Sequence, residues 1–124
     1  MSVPILKLAG VLVASVQAAL SDQDLMRLRD EFASQIGRYR SAGIVIDLTA
    51  LDVLDSYATR MLQSIANAAK LRGANTMVVG IQPEVAFAMV QLGLSLEGVG
   101  TALDPEDGLA ELGSLTQQRG HRVR

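Results

Sequence analysis

The sequence predicts an α/β fold with a single mixed sheet that is opened by an antiparallel hairpin and has helices packed mainly on one side. The element order is ββαβαβαβα. Three observations predict this. Two Val-rich runs open the chain on either side of Ala9-Gly10, stretches with apolar residues at helical spacing then alternate with short β-branched runs, and turn or cap residues separate one from the next. At 124 residues, 49% of them hydrophobic, the chain has the length of one domain and the material for one core. No internal repeat, low-complexity segment or interdomain linker divides it. We expect one domain over residues 1–116 and a flexible tail over 117–124, where basic residues gather and chain ends fray.

Val3 to Leu8 and Val11 to Val16 are the two strands of the hairpin, with Ala9-Gly10 as a tight turn. Pro4 lies near the start of its run, where its missing N–H does least harm, as on an edge strand. A helix follows from Ser21 or Asp22, with Leu25, Leu28, Phe32, Ile36 and Tyr39 on its core face and Arg27, Asp30, Glu31 and Gln35 on the other. Ile44 to Leu48 has the unbroken apolar character of a central strand buried on both sides. The next helix begins at or just after Asp55, places Ala58, Met61, Leu62, Ile65 and Ala69 on one stripe, and closes at Gly73. Thr76 to Ile81 is a further strand. Pro83 opens a short helix that ends at Gly93, with Val85, Met89 and Leu92 as its buried side. Gly98 to Leu103 forms a last short strand. Asp104-Pro105-Glu106-Asp107 supplies cap, first-turn proline and acids for a final helix through Leu109, Leu112 and Leu115.

The chain is organised around Gly43 to Leu62, a strand that crosses a short acidic loop and becomes a helix. Ser56 sits where that helix begins, next to backbone N–H groups without carbonyl partners and at the positive end of the helix dipole. A phosphate there is tolerated locally, which makes Ser56 a candidate regulatory phosphosite. Serine is also a common residue at helix starts, and Ser56 caps this one if Asp55 does not. Thr59, one turn on, is a second hydroxyl with the same two readings.

Composition narrows the function. The net charge of −2 provides no basic field for nucleic acid, and two Phe, two Tyr and no Trp provide little for stacking on bases. The absence of Cys removes disulfides, thiolate metal sites and cysteine nucleophiles, and suits a reducing cytoplasm. No window approaches the roughly 18 uninterrupted apolar residues of a membrane span, and no charged leader precedes the first strand, so no membrane role is expected. Asp47, Asp52 and Asp55 are candidates for a metal or acid–base cluster. They lack a nearby histidine or a fixed ligand pattern, and solvated loop acids and a helix cap are the simpler reading. The only histidine, His121, lies in the tail and leaves the serines without an activating base. No glycine pattern forms a phosphate-cradling loop. We expect no catalysis, no metal and no cofactor. The five methionines are core filler, with Met61 and Met89 on apolar stripes.

Val3-Pro-Ile-Leu-Lys at the start, Asp47-Leu-Thr-Ala-Leu-Asp-Val-Leu-Asp-Ser-Tyr across the strand–helix junction, Arg60-Met-Leu after it and Gly93-Leu in a later turn carry a family resemblance. The whole chain resembles a STAS domain, more closely the RsbS-type stressosome proteins of bacterial stress signalling. Asp55-Ser56 is the informative pair. The resemblance implies that Ser56 is the serine phosphorylated by an RsbT-like serine kinase, with Thr59 as a lesser candidate. It implies a partner-binding surface of Asp52, Asp55, Tyr57 and Thr59, and assembly with an RsbR-like STAS paralogue in a large complex that holds the kinase inactive. A serine phosphatase and a homo-oligomer complete the expected partners. RsbR members carry an added amino-terminal sensory domain, whereas this chain opens on its first strand, which favours the RsbS-type reading. An anti-sigma factor antagonist controlled through the same serine is the alternative that this family also implies.

Overall fold

Leu8 and Val11 are joined by two residues that both adopt left-handed backbone, Ala9 at φ 52° and Gly10 at φ 80°. Two consecutive positive φ values match the right-handed twist of the strands they join, so a two-residue hairpin closes here. In the computed structural model, which describes residues 3–17, 20–51, 55–91 and 100–102, this turn joins β1 (Ile5–Leu8) to β2 (Val11–Ser15) in antiparallel register, with Leu6 opposite Val13 and Leu8 opposite Val11. β1 starts two residues later than the apolar run does, just past Pro4, which has no N–H to give a ladder.

Helix α1 (Asp22–Tyr39) begins with a reciprocal cap. The Ser21 hydroxyl accepts from the Asp24 N–H at 3.2 Å, and the Asp24 carboxylate accepts from the Ser21 N–H at 3.2 Å. The remaining elements are β3 (Gly43–Asp47), α2 (Ser56–Leu71), β4 (Asn75–Val79), α3 (Pro83–Gln91) and β5 (Gly100–Ala102). The sheet runs β1-β2-β3-β4-β5, and every pair after the first is parallel. Crossover helices between neighbouring parallel strands require that arrangement. The final helix expected after Asp104-Pro105, the stop at Gly93, Leu92 and the side chain of Met89 lie outside the described residues.

Period-two alternation sorts the strand residues onto two faces. Leu12, Ala14, Ile44, Ile46 and Val78 form one buried cluster with Leu28, Phe32 and Ile36 of α1, Leu62, Ile65 and Ala69 of α2 and Val85 of α3. This is the helix-bearing face. Val45, Met77 and Val79 are buried on the opposite face, with Val11 and Val13 half-buried beside them. β3 is thus covered on both sides, as its unbroken apolar run requires.

Two side chains leave the places that periodicity assigns them. Tyr39 is 41% exposed, because it is the last residue of α1 and Arg40 turns the chain out of the helix with left-handed backbone at φ 51°. Its ring lies instead under the Lys7 ammonium, 4.5 Å from the ring centroid. Thr59, expected on an exposed partner surface, is buried and forms the amino-terminal end of the α2 stripe Thr59, Leu62, Ile65, Ala66 and Ala69. Ala58 and Met61 flank that stripe and are half-buried.

Candidate phosphoacceptor site at the start of α2

The carboxyl ends of the parallel strands define one edge of the sheet, and the chain leaves β3 there at Asp47. Asp47 Oδ1 accepts two hydrogen bonds from Thr49, one from its N–H at 2.9 Å and one from its hydroxyl at 2.6 Å. The carboxylate therefore shapes the turn that follows it. Leu48 N–H donates to the Val79 carbonyl at 2.9 Å and Leu51 N–H to the Leu48 carbonyl at 2.9 Å. Both leucine side chains are buried in the helix-face core, which fixes the first half of the loop. Asp52 lies outside the described residues.

Asp55 caps α2. Its backbone is extended at φ −80°, ψ 175°, and Oδ1 accepts from the Ala58 N–H at 2.7 Å. Ser56 is thus the first helical residue and not the cap, and its side chain is exposed. Its neighbour Tyr57 is exposed too. One turn on, Thr59 is 2% exposed, and its hydroxyl donates at 3.0 Å to the Asp55 carbonyl, which also accepts the Thr59 N–H at 3.0 Å. The two hydroxyls therefore differ in kind. Ser56 is exposed beyond the rim of the core, and Thr59 is sealed under the first turn. This removes Thr59 from the expected partner surface. Arg60, four residues after Ser56, is exposed on the same side of the helix.

The carboxylates considered as a metal cluster are occupied otherwise, Asp47 with Thr49 and Asp55 with Ala58. Among the described residues no three His, Asp or Glu side chains come together as a cation site. An open groove of about 550 Å³ lies between β1 and α1, lined by Val3, Pro4 and Ile5 from the first strand and its approach and by Arg27, Leu28 and Glu31 from the helix. None of its residues belongs to the Ser56 site.

Sequence reasoning missed two residues here, Gly80 and Gln82. Gly80 adopts φ +76°, and a side chain on it would run into Thr49, whose N lies 2.9 Å from the position a Cβ would take. Gln82 reaches across from the β4–α3 connection, and its amide Nε2 donates to the Thr49 carbonyl at 3.1 Å. A glycine between a strand and a Pro-initiated helix is a signal that was there in Gly80-Ile-Gln-Pro83. The contact with Thr49, 33 residues away in sequence, leaves no local trace.

The family model for the STAS domain matches residues 2–104. The chain belongs to the STAS domain family. A STAS domain of this size has close structural counterparts. A serine-to-glutamate variant of RsbS from Moorella thermoacetica superposes with a TM-score of 0.79 at 36% identity, over 93% of this chain and 97% of that one. A chain from a structure of the stressosome, described as a signal integration and transduction hub, matches at TM-score 0.77 and 38% identity, over 90% of this chain and 97% of that one. The anti-sigma factor antagonist SpoIIAA in its unphosphorylated form shares the fold at TM-score 0.63 and 13% identity, over 95% of this chain and 98% of that one. Among curated relatives, the RsbT co-antagonist protein RsbRA of Bacillus subtilis is 24% identical over 110 residues, which is 89% of this STAS domain and 40% of the relative. RsbRC of the same organism is 32% identical over 83 residues, 64% of this chain and 29% of the relative. The chain spans less than half the length of these curated relatives. No helix among the described residues is long and apolar enough to cross a membrane.

Proposed function

We propose that this STAS domain is a non-catalytic, cytoplasmic scaffold and phospho-switch of a stressosome-type complex. In this reading it sequesters an RsbT-like serine kinase together with RsbR-like STAS paralogues, and releases the kinase once Ser56 is phosphorylated. The observation that carries the reading is the exposed Ser56 hydroxyl at the first position of α2, in a domain similar to RsbS over nearly its whole length.

The chemistry follows from that position. The Ser56 Oγ forms the new bond to the γ-phosphorus of ATP, the bond to the departing ADP oxygen breaks, and the hydroxyl proton passes to a base on the kinase. The product carries about −1.5 to −2 charges and three acceptor oxygens at the positive end of the α2 dipole, so the helix start accommodates it. A kinase docked over Asp55, Ser56 and Tyr57 instead meets new negative charge beside an existing carboxylate. A loss of only about 1.4 kcal/mol weakens its binding tenfold.

The test is to incubate the protein with the cognate kinase and ATP and to map the phosphate by mass spectrometry. The expected result is a single phosphate on Ser56, no label on Ser56→Ala, and loss of kinase binding by the phosphorylated form. Label elsewhere, or full labelling of Ser56→Ala, refutes the reading. An anti-sigma factor antagonist would instead capture an anti-sigma factor from the same cell and show no association with RsbR-like paralogues.

A further inference from the structure

The edge of the sheet opposite Ser56 carries a charge pattern that the phospho-switch does not use. Leu8, Val11, Gly43 and Asn75 stand in register there, at the amino ends of the parallel strands. The Ala42 N–H donates to the Gly10 carbonyl at 3.3 Å and the Asn75 N–H to the Ala42 carbonyl at 3.1 Å, so the β1–β2 turn and the chain entering β3 and β4 lie side by side. Five exposed cations collect at this amino edge: Lys7 near the turn, Arg38 and Arg40 at the end of α1, and Lys70 and Arg72 at the end of α2. The Lys7 ammonium lies 4.5 Å and the Arg38 guanidinium 5.8 Å from the centroid of the exposed Tyr39 ring. Among the described residues none of the five has a carboxylate partner. The acids stand at the other pole: Asp22 and Asp24 open α1, Asp47 ends β3, Asp55 caps α2 and Glu84 lies in the first turn of α3. Helix dipoles favour this sorting, since they stabilise acids at helix starts and cations at helix ends. They do not account for Lys7, which stands on a strand, or for Leu8, Tyr39 and Leu71, which are exposed among the cations, Leu71 at 85%. Exposed apolar side chains set among unpaired charges of one sign suit an oppositely charged protein surface.

We propose that the amino edge docks the carboxyl edge of a second copy of this chain, in a head-to-tail contact. The complement is present in the same molecule. α1 and α2 pack against each other and run in the same direction, because each carries the chain from one parallel strand to its neighbour. The acidic starts of the two helices are therefore spaced much as their basic ends are. A copy displaced along the helix axes brings its Asp22, Asp24 and Asp55 to Arg38, Arg40, Lys70 and Arg72. A symmetric pairing through the amino edge sets like charges against each other instead, which opposes it. The head-to-tail contact leaves one free edge of each kind on every pair, so further copies add in a ring or a row. It does not require phosphate on Ser56 and stands apart from the phospho-switch reading.

Sedimentation velocity of the full chain over a wide range of concentration tests the contact, with two variants that each alter one edge. Arg38→Glu with Lys70→Glu reverses charge at the amino edge. Asp22→Lys with Asp55→Asn alters the carboxyl edge and keeps an accepting oxygen at the α2 cap. The unaltered chain is expected to self-associate, and high salt to weaken that association by roughly tenfold or more. Each variant alone is expected to be monomeric. Mixed, the two are expected to form a one-to-one dimer, since one keeps the native carboxyl edge and the other the native amino edge. An unaltered chain that stays monomeric throughout overturns the proposal, and so does self-association that survives in either variant. A mixture that stays monomeric while both variants melt like the unaltered chain also overturns it. If a reversed variant fails to fold, Arg38→Gln with Lys70→Gln decides, and self-association as strong as in the unaltered chain then refutes the contact. A chain that self-associates in this way but takes no phosphate on Ser56 defeats the phospho-switch reading alone.

Discussion

The Asp55 carboxylate and the Ala58 N–H are joined by a 2.7 Å hydrogen bond that sets Ser56 as the first residue of α2. The cap satisfies a donor that the helix leaves without a carbonyl, and it orients the turn carrying the hydroxyl. Asp55→Ala is expected to lower stability by about 1 kcal/mol, whereas Asp55→Asn, which keeps an accepting oxygen, changes it much less. Urea unfolding of both variants checks this. Equal losses would mean that the carboxylate charge, and not the hydrogen bond, supports the helix start.

Ser56 and Thr59 provide a sharper contrast, since both are hydroxyl residues of the first turn and only one is exposed. Ser56→Asp places a charge in solvent at the positive end of the dipole, where it is neutral or stabilising by up to about 1 kcal/mol. Thr59→Asp drives a charge into the core rim and breaks the bond to the Asp55 carbonyl, at a cost on the order of 4 kcal/mol. Thermal melts of the two variants are expected to diverge widely, and a collapsed Ser56→Asp would contradict a surface switch. In binding, Ser56→Asp is expected to weaken association with the kinase far more than it shifts the melt.

Arg60 follows Ser56 by four residues on an exposed side of the helix, the spacing at which an anion and a following cation interact favourably. Phosphorylation of Ser56 is therefore expected to raise the melting temperature slightly, and Arg60→Ala to remove about 0.5 kcal/mol of that gain. Comparing phosphorylated and unmodified forms of both proteins isolates the pair. The difference is expected to shrink in high salt, as solvent-exposed charge pairs do.

Most of the fold was legible because its signals are local. Ser21 and Asp24 stand three apart before an apolar stripe, Ala9-Gly10 separates two β-branched runs, and Gly43 to Asp47 has the continuous apolar character of a strand covered on both faces. The Ser56 position was legible for the same reason, since a strand, an acidic loop and a helical stripe fix where α2 begins to within a residue. Helical spacing alone failed at the two ends of helices. It grouped Tyr39 with the core face, but the periodic face carries no meaning once the chain turns away at Arg40. It began the α2 stripe at Ala58 and left Thr59 out of it, whereas the buried stripe begins at Thr59. The Gly80–Thr49 approach and the Gln82 bond depend on which strands lie side by side, which no short window of sequence contains.

That dependence can be tested by comparing two glycines with nearly equal backbone conformation. Gly73, just past α2, has φ +82° and open space where a Cβ would stand, whereas Gly80 has φ +76° and Thr49 in that space. Gly73→Ala therefore meets only the left-handed penalty of an L-residue, about 1 kcal/mol. Gly80→Ala meets the same penalty and must also displace the Thr49 hydroxyl and backbone, which are held by Asp47 and Gln82, so the loss rises to about 3 kcal/mol. Urea unfolding curves should show the Gly80→Ala midpoint well below that of Gly73→Ala at similar slope. Equal midpoints would show that the loop yields easily, and that the tie between the two loops is weaker than its hydrogen bonds imply. A larger loss in Gly80→Ala, partly relieved by Thr49→Ala, which removes the hydroxyl nearest the new methyl, would locate the cost in the packing of these two residues.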